Sequence, residues 1–137
     1  MDLPKRIEVV IEVPRGAFVK RRGDGRVDFV SPIPSPFNYG SIVGTAAPDG
    51  DPLDAVVLGR RLERGARVCA PARAVAAFVD AGVDDPKVIC ASHPISALEL
   101  RAVAAFFRFY ALAKRARYAV LGHVGGGETR FGGCHKL

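Results

Sequence analysis

The chain has 137 residues, 49% hydrophobic and 25% charged, with a formal net charge of +6 and a pI near 9.7. That apolar content excludes a disordered tail, and no apolar run reaches the ~20 residues that a membrane-spanning helix needs. Three cysteines, odd in number and widely spread, do not make a disulfide framework.

The opening MDLPKRIEVV carries charges where an export signal would be apolar, so a reducing cytoplasm is the expected setting. The length predicts a single domain over 1–137.

In chain order, residues 7–13, IEVVIEV, are β-branched and read as a strand. Alternation puts Val9, Ile11 and Val13 on one face and Glu8, Val10 and Glu12 on the other. Residues 17–30 read as a hairpin around Gly23-Asp24-Gly25. Three prolines in 31–40 predict an irregular loop, and 41–54 continue it. Strands are expected at 55–59, at 67–79 with a break at Pro71, and at 88–92, with a polar loop over 80–87.

Ser96 and Glu99 form a capping box that opens the clearest helix. Leu98, Ala102, Ala105, Phe106, Phe109 and Leu112 fall near helical spacing as its apolar stripe. A last strand is expected in YAVLGHV, and the glycine-rich tail 125–137 is expected to be mobile. Several short strands with one late helix predict a mainly β (α+β) fold, a small barrel with one or two peripheral helices.

The chemistry concentrates in Asp49-Gly50-Asp51-Pro52-Leu53-Asp54. Crowded carboxylates raise the cost of ionising one another, and a hard divalent cation is the usual remedy. A turn rich in Asp is the plain alternative. An EF-hand is excluded, because Arg60 stands at the twelfth position where that loop needs Glu.

A second acidic loop, with Asp80, Asp84, Asp85 and then Lys87, favours the metal. Two such loops meeting at a barrel mouth suit phosphoryl transfer. Cys134, His135 and His123 are too few and too glycine-flanked for a zinc site.

These motifs resemble those of the family I soluble inorganic pyrophosphatases. DGDPLD (49–54) followed by AVVL is similar to the family signature, and Phe37-Asn38-Tyr39-Gly40 to its Asn-Tyr-Gly segment. VVIEVP (9–14), DAGVDDPK (80–87) and FFRFYALAK (106–114) resemble its opening strand, second acidic loop and late helix, all in family order.

The resemblance implies an OB-like five-stranded β-barrel and hydrolysis of inorganic pyrophosphate to two phosphates. It implies several Mg²⁺ ions, with Mn²⁺ or another divalent cation as substitute, and a homo-oligomer. Asp49, Asp54, Asp80 and Asp85 would be metal ligands. Asp51 would be the general base, and Glu12 would act near the metal–phosphate region. Lys20, Tyr39, Lys87 and Tyr110 would contact phosphate oxygens or support the groups that do.

Three departures stand out. Arg22 replaces an acid, the segment 27–30 lacks an arginine, and Ala111 replaces a lysine after Tyr110. Each lost charged contact costs about 1.5–3 kcal/mol, and Arg22 is the expected compensating cation.

The competing expectation is a degenerate relative with weak or altered phosphoanhydride activity, binding a phosphate compound or a protein. Residues 100–137 hold seven Lys/Arg and one acid, while the other 99 balance at 13 each. An oligonucleotide-binding barrel ranks last. It would need aromatic residues among the basic ones, yet the chain has no Trp and two acidic loops. Neither nucleic acid nor membrane is expected as a partner.

Overall fold

In β1 (Arg6–Val13) every second side chain, Ile7, Val9, Ile11 and Val13, is buried, as its alternation dictates. The computed structural model describes residues 3–21, 26–31, 33–48, 50–121 and 127–137. After β1 come β2 (Val19–Arg21), β3 (Val27–Val30), β4 (Asn38–Ile42), β5 (Asp54–Val57) and β6 (Arg67–Asp80). Then follow β7 (Val83–Asp84), β8 (Lys87–Cys90), the helix α1 (Ala97–Leu121) and β9 (Arg130–Lys136).

The sheet closes on itself. The order β1-β4-β5-β8-β6 returns to β1 through a β1–β6 pairing, giving a ring of five strands. All ring pairings are antiparallel except β5–β8, which is parallel. This is the mainly β, OB-like ring expected, with one helix among the described residues. β2 and β3 form the expected hairpin, as a two-stranded sheet apart from the ring, and its Gly-Asp-Gly turn lies outside the described residues.

Two apolar clusters divide the strands by face. The first joins Ile7, Val9, Ile11, Ala55, Val57, Val88 and Cys90. The second joins Tyr39, Val56, Ala76, Phe78 and Ile89 to Val103, Phe107 and Ala111 of α1. The helix therefore covers the outer face of the ring. Each fully buried large side chain there, such as Phe107, contributes roughly 1.5–3 kcal/mol.

Several sequence expectations need correction. Residues 38–42, expected as loop, form β4, and β6 runs through Pro71 without a break. Arg6 lies opposite Pro71, and the amide after the proline, Ala72 N, donates to Lys5 O at 3.1 Å. The ladder thus resumes one residue later.

The helix continues to Leu121, through most of the segment expected as a last strand. Its buried line is Val103, Phe107 and Ala111, whereas Leu98 and Leu112 of the expected stripe are 75% and 59% exposed. The helix is apolar on more than one side, and the ring selects the side that carries Phe107. The tail is not wholly irregular either: Arg130–Lys136 forms β9, paired with β6 from Ala74 to Val79.

Candidate active site

Strand register assembles a row of polar side chains on the outer face. Asp54, first in β5, lies opposite Ser41 of β4 and opposite Lys87, first in β8. Residues directly opposite one another share a face. Lys87 Nζ lies 2.7 Å from Asp54 Oδ2 and 2.7 Å from Asp85 Oδ2. The Tyr39 hydroxyl donates to Asp54 Oδ2 at 2.7 Å, and the Ser41 hydroxyl donates to Glu12 Oε1 at 2.7 Å. Lys20 Nζ lies 5.3 Å from the centre of the Tyr39 ring.

The Asn-Tyr-Gly segment builds this geometry. Asn38, fully buried, accepts from Arg15 N and Leu62 N and donates to Val57 O and Arg60 O. It ties β4 to the loops on either side. Tyr39 holds Asp54. At Gly40 a Cβ would stand 1.9 Å from Val10 O, so only glycine lets β1 approach.

Lys87 is 2% exposed. Burial pushes its ammonium down, but the charges of Asp54 and Asp85 outweigh that and raise it. It is a fixed cation. Asp54 responds oppositely to Asp85. Burial pushes both carboxyls up. At Asp54 the charges of Lys87 and Lys20 and the two hydrogen bonds win, and the group is held low. At Asp85 burial wins over Lys87, and the group is raised. Burial, with the Asp54 charge, also holds the Tyr39 hydroxyl protonated, well above its ordinary value.

Each of Asp54 and Asp85 gives one oxygen to Lys87, and Oδ1 of each has no partner among the described residues. Two hard oxygen donors gathered by one ammonium fit a hard divalent cation. Among the described residues no three Asp, Glu, His or Cys side chains converge as a ready-made cage.

Asp80, at the end of β6, is tied to the helix instead. It accepts from Lys114 Nζ at 2.5 Å and from the Tyr118 hydroxyl at 2.7 Å, with Thr129 Oγ1 at 3.4 Å. Burial pushes its carboxyl up, and the bonds from Lys114 and Tyr118 bring it below its ordinary value. Tyr110 stands between the two groups. Lys114 Nζ is 5.2 Å from its ring centre, and a charge on its hydroxyl would act on Lys87, Lys114 and Tyr39.

The structure thus gathers Asp54, Asp85, Lys87, Tyr39 and Lys20, with Tyr110 at their edge. Glu12 joins through Ser41. Asp51 is exposed in the loop before β5, where its main-chain carbonyl accepts from Ala47 N at 2.7 Å. Asp49 and Arg22 lie outside the described residues.

Sequence reasoning missed Ser41, Lys114 and Tyr118. The signal for Lys114 was its place four residues after Tyr110, which puts both on one helix face. Ser41 sits two residues after Tyr39, so in an extended strand it shares that residue's face.

A model of the inorganic pyrophosphatase family matches residues 9–127. The chain belongs to this family. The inorganic pyrophosphatase of Gluconobacter oxydans is 39% identical over 100 residues, covering 67% of this chain and 58% of that protein. That of Campylobacter jejuni is 37% identical over 95 residues, covering 61% and 54%. The chain thus spans little more than half the length of these two curated relatives.

The crystal structure of the inorganic pyrophosphatase from Thermus thermophilus superposes with a TM-score of 0.77 at 27% identity. It covers 99% of this chain and 85% of that one. Family pattern and geometry meet at DGDPLD: its last aspartate is the one that Lys87 and Tyr39 hold.

Proposed function

We propose that this chain hydrolyses inorganic pyrophosphate to two phosphates with the help of Mg²⁺, for which Mn²⁺ or another divalent cation can substitute. The observation that carries this reading is Lys87 bridging Asp54 and Asp85, with an oxygen of each unpartnered among the described residues, in a member of the inorganic pyrophosphatase family.

Asp54 and Asp85 would hold the cation with Asp49, and Asp80 would join them only where it is drawn from Lys114 by a bound cation. When bound, the cation supplies charge that offsets the phosphate oxygens and acidifies the attacking water. The remaining tasks fall to the chain. Lys87 and the Tyr39 hydroxyl fix the Asp54 carboxylate through Oδ2, which would leave Oδ1 for the cation. Asp51 takes the proton of the attacking water, and Glu12, oriented by Ser41, acts beside it. Lys20, Tyr110 and Arg22 offer donors to phosphate oxygens, and Lys87 offsets their charge from below.

Phosphate release from pyrophosphate, with Mg²⁺ and with chelator, tests the reading beside Asp51→Asn and Asp54→Asn. Metal-dependent release that both variants abolish supports it. Absence of release from folded protein overturns it.

The second reading, weak or altered phosphoanhydride activity, has one observation in its favour. Ala111, where the family carries lysine, is 2% exposed inside the helix packing, so this position offers no cation to a phosphate.

We also read the chain as one cytoplasmic unit over 1–137 that forms a homo-oligomer. Its three cysteines are free, and no helix is long and apolar enough to cross a membrane among the described residues. The outward face of α1 exposes Leu98, Leu112 and Val120, which oligomer contacts would cover. Sedimentation at low micromolar concentration tests that part, and a monomer would refute it.

A further inference from the structure

An aromatic hollow adjoins the row of polar side chains. Its lining includes Val13, Phe18, Phe37 and Phe106, together with Lys20, Tyr39 and Tyr110. It is a small cavity of about 40 Å³ that opens to solvent, so a ligand there would be only partly enclosed. Tyr39 is shared between the two: its side chain lines the hollow and its hydroxyl holds Asp54.

Among the described residues its other polar lining is Ser31 and Ser35, and the Ser35 hydroxyl already donates to Phe37 O at 2.5 Å. A group rich in donors and acceptors, such as a nucleobase, would lose water there and find little in return. A hydrocarbon would not. Phe18, at the opening, is 49% exposed and would be covered by one.

Charge points the same way. A diphosphate monoester carries one negative charge fewer than pyrophosphate. It asks less of a site that has Ala111 in place of a cation.

We propose that the site also takes diphosphate monoesters of short branched hydrocarbons, with the hydrocarbon in this hollow. This deepens the proposed pyrophosphatase reading and rests on it. The water oxygen bonds to the terminal phosphorus, and the bond from that phosphorus to the bridging oxygen breaks. The bridging oxygen leaves with the alkyl phosphate. Both protons of the water end on the inorganic phosphate or in solution, and no oxidant or reductant is needed.

The test compares 3-methylbutyl diphosphate, methyl diphosphate and a nucleoside diphosphate as substrates with Mg²⁺, with pyrophosphate run in parallel. Calorimetry of the uncleavable methylene-bridged forms of the two alkyl esters gives a readout independent of turnover. The branched ester is expected to exceed the methyl ester by about tenfold or more in kcat/KM. Its analogue should bind with a more negative heat-capacity change. Phe18→Ser should bring the ratio of the two esters back towards one.

Equal rates and binding for the two alkyl esters overturn the inference, as does preference for the nucleotide. If pyrophosphate is cleaved and the branched ester is not, the hollow has no substrate role while the pyrophosphatase reading stands. If neither is cleaved, both fall.

Discussion

Lys114, one helical turn beyond Tyr110, places its ammonium 2.5 Å from the carboxylate of Asp80, 34 residues earlier in the chain. The helix thereby supplies an internal counter-ion to a carboxylate otherwise expected to face metal. Burial lowers the lysine, but nearby Tyr110 and the contact with Asp80 raise it, so the pair is ionised at neutral pH. Their side chains are 16% and 19% exposed, so the charges are poorly screened.

Lys114→Met is expected to cost about 2–4 kcal/mol, because it strands a partly buried charge. Adding Asp80→Asn should recover part of that loss. Urea unfolding in chelator measures both. Simple additivity of the two single losses would show that the pair is not coupled.

Acid stability follows from the two depressed carboxyls, Asp54 and Asp80. A group whose folded pKa lies below its unfolded value contributes stability that is complete above ~3.9 and fades as pH falls through the folded value. Lys114 is raised, so its contribution is complete below ~10.4 and fades as pH rises beyond it. Chelated protein should therefore hold a stability plateau between about pH 5 and 9. Asp80→Asn should flatten its acid edge, which urea midpoints from acid to neutral pH would show. An unchanged acid slope would refute the assignment.

Asp85 has the opposite sign. Its carboxyl is raised, so holding it ionised at neutral pH costs stability in the absence of a cation. Asp85→Asn, which keeps an acceptor for Lys87, should raise Tm in chelator by about 3–5 °C, on the order of 1 kcal/mol. The same variant should weaken Mg²⁺ binding about tenfold or more. Scanning calorimetry with and without Mg²⁺ reads both effects, and a lower Tm in chelator would contradict the sign.

Gly40→Ala forces a Cβ to within 1.9 Å of the Val10 carbonyl, which is backbone and cannot swing aside. β1 and β4 would have to separate, at about 4 kcal/mol or more. The soluble yield and urea midpoint report it. A variant as stable as the parent would show that the two strands have room to part.

Period and punctuation made much of the frame legible. β1 was readable from its alternation, the hairpin from Gly-Asp-Gly, and the start of α1 from Ser96 and Glu99, which donate and accept reciprocally at 3.1 Å. β4 was not, because prolines and glycines crowd its approach and its glycine is fixed by contact with β1, which no local rule reports. The buried side of α1 was ambiguous because apolar residues encircle it, and only the ring decides which side is covered. At the site, Asp54, Asp85, Lys87 and Tyr39 were legible through the motif. Lys114 was hidden because its partner is 34 residues away.

The parallel pairing of β5 with β8 has a kinetic consequence. Asp54 and Lys87 face one another only after the 32 intervening residues, β6 among them, have found their places. Such distant contacts form late in folding. A partly collapsed chain therefore lacks the paired carboxylates, and a cation has nothing to grip until the native state exists. Mg²⁺ should then lengthen the unfolding half-life by mass action on the finished protein and leave the refolding rate untouched, acting as a brake on unfolding and not as a seed for folding.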